Sequence, residues 1–321
     1  MRKRAPARAA VGRTLGRLAP VLALVLLAGS AQAGEAPAAT DEEVPAEEAA
    51  AEPDAPAQGL RAFLSQLELL PGGRALFPPL LADPKWPRFS LSYLEHLDDP
   101  FLATVGSANV GEAVTLLRGP GPFGGRWDLG LQGGVFAIFD LDASSTPLIN
   151  ADYLLGGFAS YRRGDLALWL RLFHQSSHLG DELVLGGRAP RRINLSNDAV
   201  DALLSYQVRD WLRIYGGGGA IYDVHPNTLG RGLAQVGLEL RSPRAYLGER
   251  LRPIAGLDLK LRSLASWREE LSLRGGLELE SGIGSLRAQL LLEYFKGRSP
   301  NGQFFVRTIE FIGFGLHFFF S

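Results

Sequence analysis

The residues with the most evident chemistry lie between positions 174 and 198. They are His174, Ser176, His178, Asp181, Glu182, Asn194 and Asp198. An imidazole beside a hydroxyl is the pairing of general base and nucleophile, and an amide or carboxylate that orients the ring completes the set for acyl transfer. His174 and Ser176 are two residues apart. On a strand that spacing puts both on one face, with Cα atoms about 7 Å apart, within reach of a base–hydroxyl hydrogen bond. His174 and His178 would stand about 13 Å apart on a strand, too far to share one metal. That spacing suits zinc only on a helix. Gly216 to Gly219 is followed by no Lys-Ser/Thr, so it reads as strand glycine rather than a phosphate loop.

The element that must position these groups is the stretch from Asp165 to Asp181. Leu166, Leu168, Leu170 and Leu172 share one parity, and Ala167, Trp169, Arg171 and Phe173 the other. Continuing the leucine parity gives His174, Ser176 and His178. A strand therefore carries the polar groups at the end of its apolar face. Asn194 and Asp198 belong to the next strand. Twelve strands are expected: 88–94, 108–117, 127–139, 149–161, 166–177, 194–208, 211–222, 233–241, 253–261, 271–280, 286–295 and 304–320.

Tight turns follow the fourth, sixth and tenth strands, while the connections at the other end are longer. Exceptions are 118–126 and 242–252, which are long where turns are expected. The fold class that follows is all-β, a transmembrane antiparallel β-barrel of about twelve strands with short periplasmic turns and longer outer loops. Its leucine faces meet lipid. His174 then stands about 23 Å above its turn, near the outer edge of an apolar band about 25 Å tall. Arg171, Asp258, Lys260, Arg274 and Glu278 fall on the opposite parity and would line the lumen.

The rest of the 321 residues fits export. Six basic residues between Arg2 and Arg17 precede an apolar run from Leu18 to Ala28 and then Ala31-Gln-Ala33, which reads as a signal peptide over 1–33. Residues 34–59 are rich in Ala, Glu and Pro and read as a disordered acidic linker. Residues 60–86 hold a short amphipathic helix, on Leu60, Phe63, Leu64 and Leu67, and a lead-in to the barrel at 87–321. The helix would lie on the membrane surface or plug the barrel mouth. A formal charge of -1 gives no basic surface for nucleic acid, and the absence of cysteine excludes disulfides. The expected location is the outer membrane of a Gram-negative bacterium. The expected partners are membrane lipids and the barrel-assembly machinery, the latter because the aromatic final strand, Ile312 to Phe320, resembles the C-terminal recognition signal of outer-membrane barrels.

His174-Gln-Ser176 resembles the His-x-Ser motif of outer-membrane phospholipase A and of the outer-membrane lipid A deacylase, although Ser177 and His178 stand where the phospholipase has Asn and Gly. The resemblance implies a lipid-facing esterase in which His174 deprotonates Ser176 and Asn194 holds the ring, with Asp198 as its substitute and His178 as an alternative base. It also implies a cation such as calcium near Asp181 and Glu182. The whole barrel, above all Ser176-Ser-His-Leu-Gly-Asp-Glu182, is more similar to an uncharacterised family of bacterial barrels, a domain of unknown function. The readings that follow are a hydrolase of phospholipid or lipid A, a pore or transport barrel, and a structural or binding barrel.

Overall fold

The computed structural model describes residues 63–187, 193–283 and 286–320. The expected signal peptide and acidic linker lie outside the described residues. Of the expected amphipathic helix, Phe63, Leu64 and Leu67 are described: Phe63 and Leu64 are helical and exposed, whereas Leu67 lies past a turn, outside the helix, and is partly buried.

A two-residue strand, β1 (Glu68–Leu69), precedes twelve long ones: β2 (Phe89–His96), β3 (Thr104–Pro120), β4 (Arg126–Asp140), β5 (Leu148–Arg163), β6 (Leu166–Leu179), β7 (Leu195–Arg209), β8 (Leu212–His225), β9 (Gly232–Arg241), β10 (Leu251–Arg262), β11 (Arg268–Ile283), β12 (Leu286–Arg298) and β13 (Thr308–Phe320). Each of the twelve pairs antiparallel with its sequence neighbours, and β13 pairs with β2, so the sheet closes into a barrel. Closure leaves no free sheet edge between the last strand and the first, which is the condition for a sheet to sit in lipid.

Alternation decides which side faces what. Leu166, Leu168, Leu170 and Leu172 point out and are about two-fifths exposed, whereas Ala167 and Trp169 are buried at 3% and 0%. Exposed apolar residues continue round the wall through Leu91, Val114, Leu131, Leu155 and Leu204, then Ile214, Val236, Leu277, Leu292 and Phe314. A water-soluble monomer rarely exposes an apolar patch beyond a few hundred Å². A belt encircling the molecule, with charge turned inward, is the pattern of an outer-membrane barrel. Leu170→Arg, midway along β6, is therefore expected to cost about 2–4 kcal/mol in urea unfolding from lipid vesicles. A change within about 0.5 kcal/mol, ordinary for a water-facing site, would place that face in solvent.

The connections sort into two ends. Gly164-Asp165 and Asp210-Trp211 are two-residue turns, and Gly164 takes φ +56, a conformation glycine adopts without strain. The expected long connection at 118–126 is shorter than anticipated, because β3 runs on to Pro120 and only 121–125 form the turn. The nine residues 242–250 remain a long connection at that same end. At the other end lie the loops, including 180–194 with the short helix α1 (Asp181–Leu185). One expected strand start is wrong: Phe304 belongs to a 3₁₀ turn (Gly302–Phe304), and β13 begins at Thr308. Phe304 instead packs with Leu102, Leu183 and Phe311 in an apolar cluster that caps the loop end.

A segment of the chain runs through the lumen. Residues 71–88 enter it at the turn end, climb to Asp83–Lys85 and come back to β2. Phe77, Leu80 and Trp86 of this segment pack on Phe158, Trp169, Leu203 and Tyr215 of the wall. Trp169 stands at the centre, with ring centroids 5.2 Å from Trp86, 5.7 Å from Phe77 and 4.2 Å from Phe158. An irregular segment has no ladder to satisfy its peptide groups, so other groups must. Wall side chains do this. Asp128 accepts from Leu76 N at 2.9 Å and Glu239 from Leu81 N at 2.7 Å. Arg213 donates to the carbonyls of Pro78 and Pro79 at 3.0 and 2.9 Å, and Arg274 to that of Leu81 at 3.1 Å.

Candidate functional site

β6 carries His174, Ser176 and His178 outward, above the last outward leucine, Leu172. The register of β6 on β7 sets His174 opposite Asp198 and Ser176 opposite Ser196. His174 Nδ1 lies 2.6 Å from Asp198 Oδ1, and the two side chains are 48% and 28% exposed. The bond holds the ring by one nitrogen and leaves Nε2 available. Ser176, partly exposed, shares the face two residues on, and no hydrogen bond joins it to His174. Tyr153 of β5 stands opposite Ser176, and its ring meets that of His178 edge-on at 5.6 Å. The outer face at the loop end is thus a patch of imidazole, hydroxyl, carboxylate and phenol directly above apolar wall. A tyrosine there has its ring in lipid and its hydroxyl at the headgroups.

The other expected residues fall as follows. Asn194 is exposed, just outside β7, and the register carried one step past Leu195 sets it level with His178. That is four residues, about 13 Å, beyond the level of His174. The structure brings Asp198 and not Asn194 to the ring. Asp181 and Glu182 are exposed in the first turn of α1, where carboxylates favour the helix dipole. Glu182 accepts a hydrogen bond from Ser145 at 2.9 Å. Among the described residues, no three or more His, Asp or Glu gather as a metal site would require.

Behind this face sits a buried polar cluster that sequence reasoning missed. Ser177 points inward and donates to Asp152 and, at 3.1 Å, to Asn150. Asp152 also takes the Lys85 ammonium at 2.6 Å and the Gly302 amide at 3.1 Å. Gln303 donates to the carbonyls of Ser177 and Ile193 at 2.8 and 3.0 Å. The second serine of the Ser-Ser-His stretch therefore ties the tip of the luminal segment and the 299–307 loop to β6, directly behind Ser176. Burial lowers the pKa of the Lys85 ammonium, against the pull of Asp152. At Asp83 burial works upward, but Lys260, 2.9 Å away, prevails and holds the carboxyl below its usual range. The one sequence sign of the segment is a set of large apolar residues, Phe77, Leu80, Leu81 and Trp86, placed among prolines where a solvated lead-in has no use for them.

The residues expected to line a channel do face inward, but they are paired. Arg171 grips Asp201 with Nε at 3.1 Å and Nη2 at 2.5 Å, Lys260 binds Asp83, and Arg274 binds Glu293 at 2.8 Å. Asp258 accepts from Tyr215 and Gln235, both at 2.6 Å, and Glu278 from Gln289 at 2.7 Å.

No curated protein matches the sequence. Solved structures with a similar fold include outer membrane phospholipase A from Escherichia coli, 12% identical, with a TM-score of 0.49 over 79% of this chain and 96% of that one. The KdgM porin is 8% identical, with a TM-score of 0.39 over 72% and 99% of the two chains. OmpT of Vibrio cholerae is 10% identical, with a TM-score of 0.34 over 75% and 99%. The chain belongs to the family "Protein of unknown function (DUF1207)", whose family model matches residues 4–320.

Proposed function

We propose that the protein is an outer-membrane acyl-ester hydrolase acting on phospholipid or lipid A from the outer face of its barrel, with its loops toward the cell exterior. The observation that carries this reading is the 2.6 Å contact of His174 Nδ1 with Asp198 on a lipid-facing surface that also bears Ser176. A carboxylate on Nδ1 fixes the tautomer with the proton on that nitrogen and leaves Nε2 to accept one. A lipid ester lying along the wall presents its carbonyl at the level where apolar wall gives way to polar side chains. In this reading the Ser176 hydroxyl meets Nε2 once substrate is bound, and such contacts commonly tighten only around bound substrate. Ser176 Oγ attacks the carbonyl carbon, its proton passes to Nε2, and His174 returns that proton to the departing alkoxide. Water then hydrolyses the acyl-serine by the same route. Asp198 is the orienting group in this reading, and Asn194 is too far along the strand for that role.

The segment running through the lumen favours this reading over a constitutive pore. The luminal segment buries Phe77 and Trp86 on Trp169, and its Asp83 and Lys85 pair with Lys260 and Asp152 of the wall. The test is acyl release from phospholipid or lipopolysaccharide by the purified protein in mixed micelles, with and without calcium. Release by the wild type and none by Ser176→Ala is expected. Absence of release from either substrate in either condition, or full activity in the Ser176→Ala variant, overturns the proposal.

A further inference from the structure

Acyl transfer needs a donor for the carbonyl oxygen as well as a nucleophile and a base, because negative charge collects on that oxygen when the nucleophile adds. Backbone N–H groups commonly supply it, but the wall around Ser176 has none to spare. β6 pairs with β5 on one side and with β7 on the other through Ser177, so the two ladders take its peptide groups. The donor must then be a side chain. Register sets two hydroxyl groups directly opposite Ser176: Tyr153 on β5 and Ser196 on β7. His225, opposite Ser196, is one strand further off, about 10 Å from Ser176.

Charge, direction and reach choose between the two. On the Ser196 side, Asp198 lies two residues along the same strand, and Asp223 of β8 stands opposite Asp198. Carboxylates there oppose a developing negative charge. On the Tyr153 side, the same-face neighbours Ala151 and Leu155 are uncharged. Direction agrees. His174 returns its proton to the departing alkoxide, so the leaving group lies on the His174 side of Ser176 and the carbonyl oxygen is turned elsewhere. The Tyr153 ring meets that of His178, the same-face position beyond Ser176 and away from His174. A serine hydroxyl ends one bond past Cβ, whereas a phenol hydroxyl extends well past the wall, to where an ester lying against it has its oxygen. Tyr153 is 45% exposed, and among the described residues its hydroxyl makes no hydrogen bond.

We propose that Tyr153 is a further catalytic residue, its phenol hydroxyl donating to the carbonyl oxygen of the bound ester, and that His178 is a positioning residue for its ring; the assignment rests on the hydrolase reading given above. When Ser176 Oγ bonds to the carbonyl carbon, the π pair of the C=O moves onto oxygen, and Tyr153 donates a hydrogen bond to it while keeping its proton. Collapse of the adduct restores the C=O and breaks the bond to the alkoxide, which takes its proton from His174. Base, nucleophile and the support of the donor thus occupy three successive same-face positions of β6: 174, 176 and 178.

The test measures acyl release from phospholipid and from lipopolysaccharide in mixed micelles by the purified full chain and its variants. Heat-modifiable gel migration checks that each variant is a closed barrel. Tyr153→Phe keeps the ring and loses only the hydroxyl. It is expected to lower kcat about 10²-fold while KM stays within about twofold. Ser196→Ala should leave kcat within about twofold. His178→Ala should lower kcat about tenfold by freeing the Tyr153 ring, and His178→Phe, which keeps an aromatic contact, should recover most of it. Octylboronic acid, which forms a tetrahedral adduct on a reactive serine, should inhibit Tyr153→Phe less well by about the factor lost from kcat/KM. Release that Ser176→Ala abolishes and Tyr153→Phe leaves unchanged overturns this assignment and leaves the hydrolase standing. A loss in Tyr153→Phe carried wholly by KM also overturns it, since the phenol then only binds. Failure of His178→Phe to recover activity removes the positioning role of His178. No release by the wild type from either substrate overturns the hydrolase reading and this assignment together.

Discussion

His174→Ala is expected to lower acyl release by roughly 10⁴-fold or more, because the relay loses the group that accepts and returns the proton. Asp198→Asn should lower it by about 10³–10⁴-fold by releasing the tautomer, while Asn194→Ala leaves it unchanged. The contrast separates the two candidates for the orienting role, since only Asp198 lies within 2.6 Å of the ring. The fold gives these variants a clean readout. A contact between side chains 48% and 28% exposed contributes about 0–1 kcal/mol to stability, so loss of activity would not reflect loss of the barrel. Equal activity in His174→Ala and wild type would remove His174 from the chemistry. Full activity in Asp198→Asn with loss in Asn194→Ala would mean that substrate binding rearranges the loop between β6 and β7.

Asp152→Ala is expected to cost about 3–5 kcal/mol and to open the barrel to ions. Asp152 is fully buried and is the counter-charge of Lys85, which is 16% exposed at the tip of the luminal segment. Removing the carboxylate leaves that ammonium in a low-dielectric interior and also strips an acceptor from Asn150, Ser177 and Gly302. The tip then gains by moving toward water. Conductance in planar bilayers should be near zero for the wild type and flickering for Asp152→Ala. Lys85→Met combined with Asp152→Leu, which removes both charges and keeps the volume, should restore much of the stability. A closed and equally stable Asp152→Ala barrel would show that the segment is held by its aromatic contacts alone.

The wall was legible because alternation is a strong, local signal. Leu166 to Leu172 against Ala167 to Phe173 gave both the strand and its orientation, and all twelve strands were placed to within a few residues except at β13. There, Phe304 and Phe305 form an apolar run without alternation, which does not distinguish a strand from a buried loop. The luminal segment was illegible for the opposite reason. Residues 71–88 contain Pro71, Pro78, Pro79, Pro84 and Pro87 and have no period, and their peptide groups are satisfied by Asp128, Arg213, Glu239 and Arg274 from distant strands. No window of sequence contains both halves of that arrangement. The choice between Asn194 and Asp198 failed to resolve similarly. It depends on the register of β6 on β7, which a long loop leaves free and only pairing fixes.

The dependence of the luminal backbone on wall charges has an evolutionary corollary. Asp83 with Lys260 and Lys85 with Asp152 are partners far apart in the chain, so a substitution in either member is tolerated only with a matching change in the other. Divergent relatives should therefore exchange these pairs jointly, by reversal or by neutralisation, while the outward leucines drift independently among apolar types.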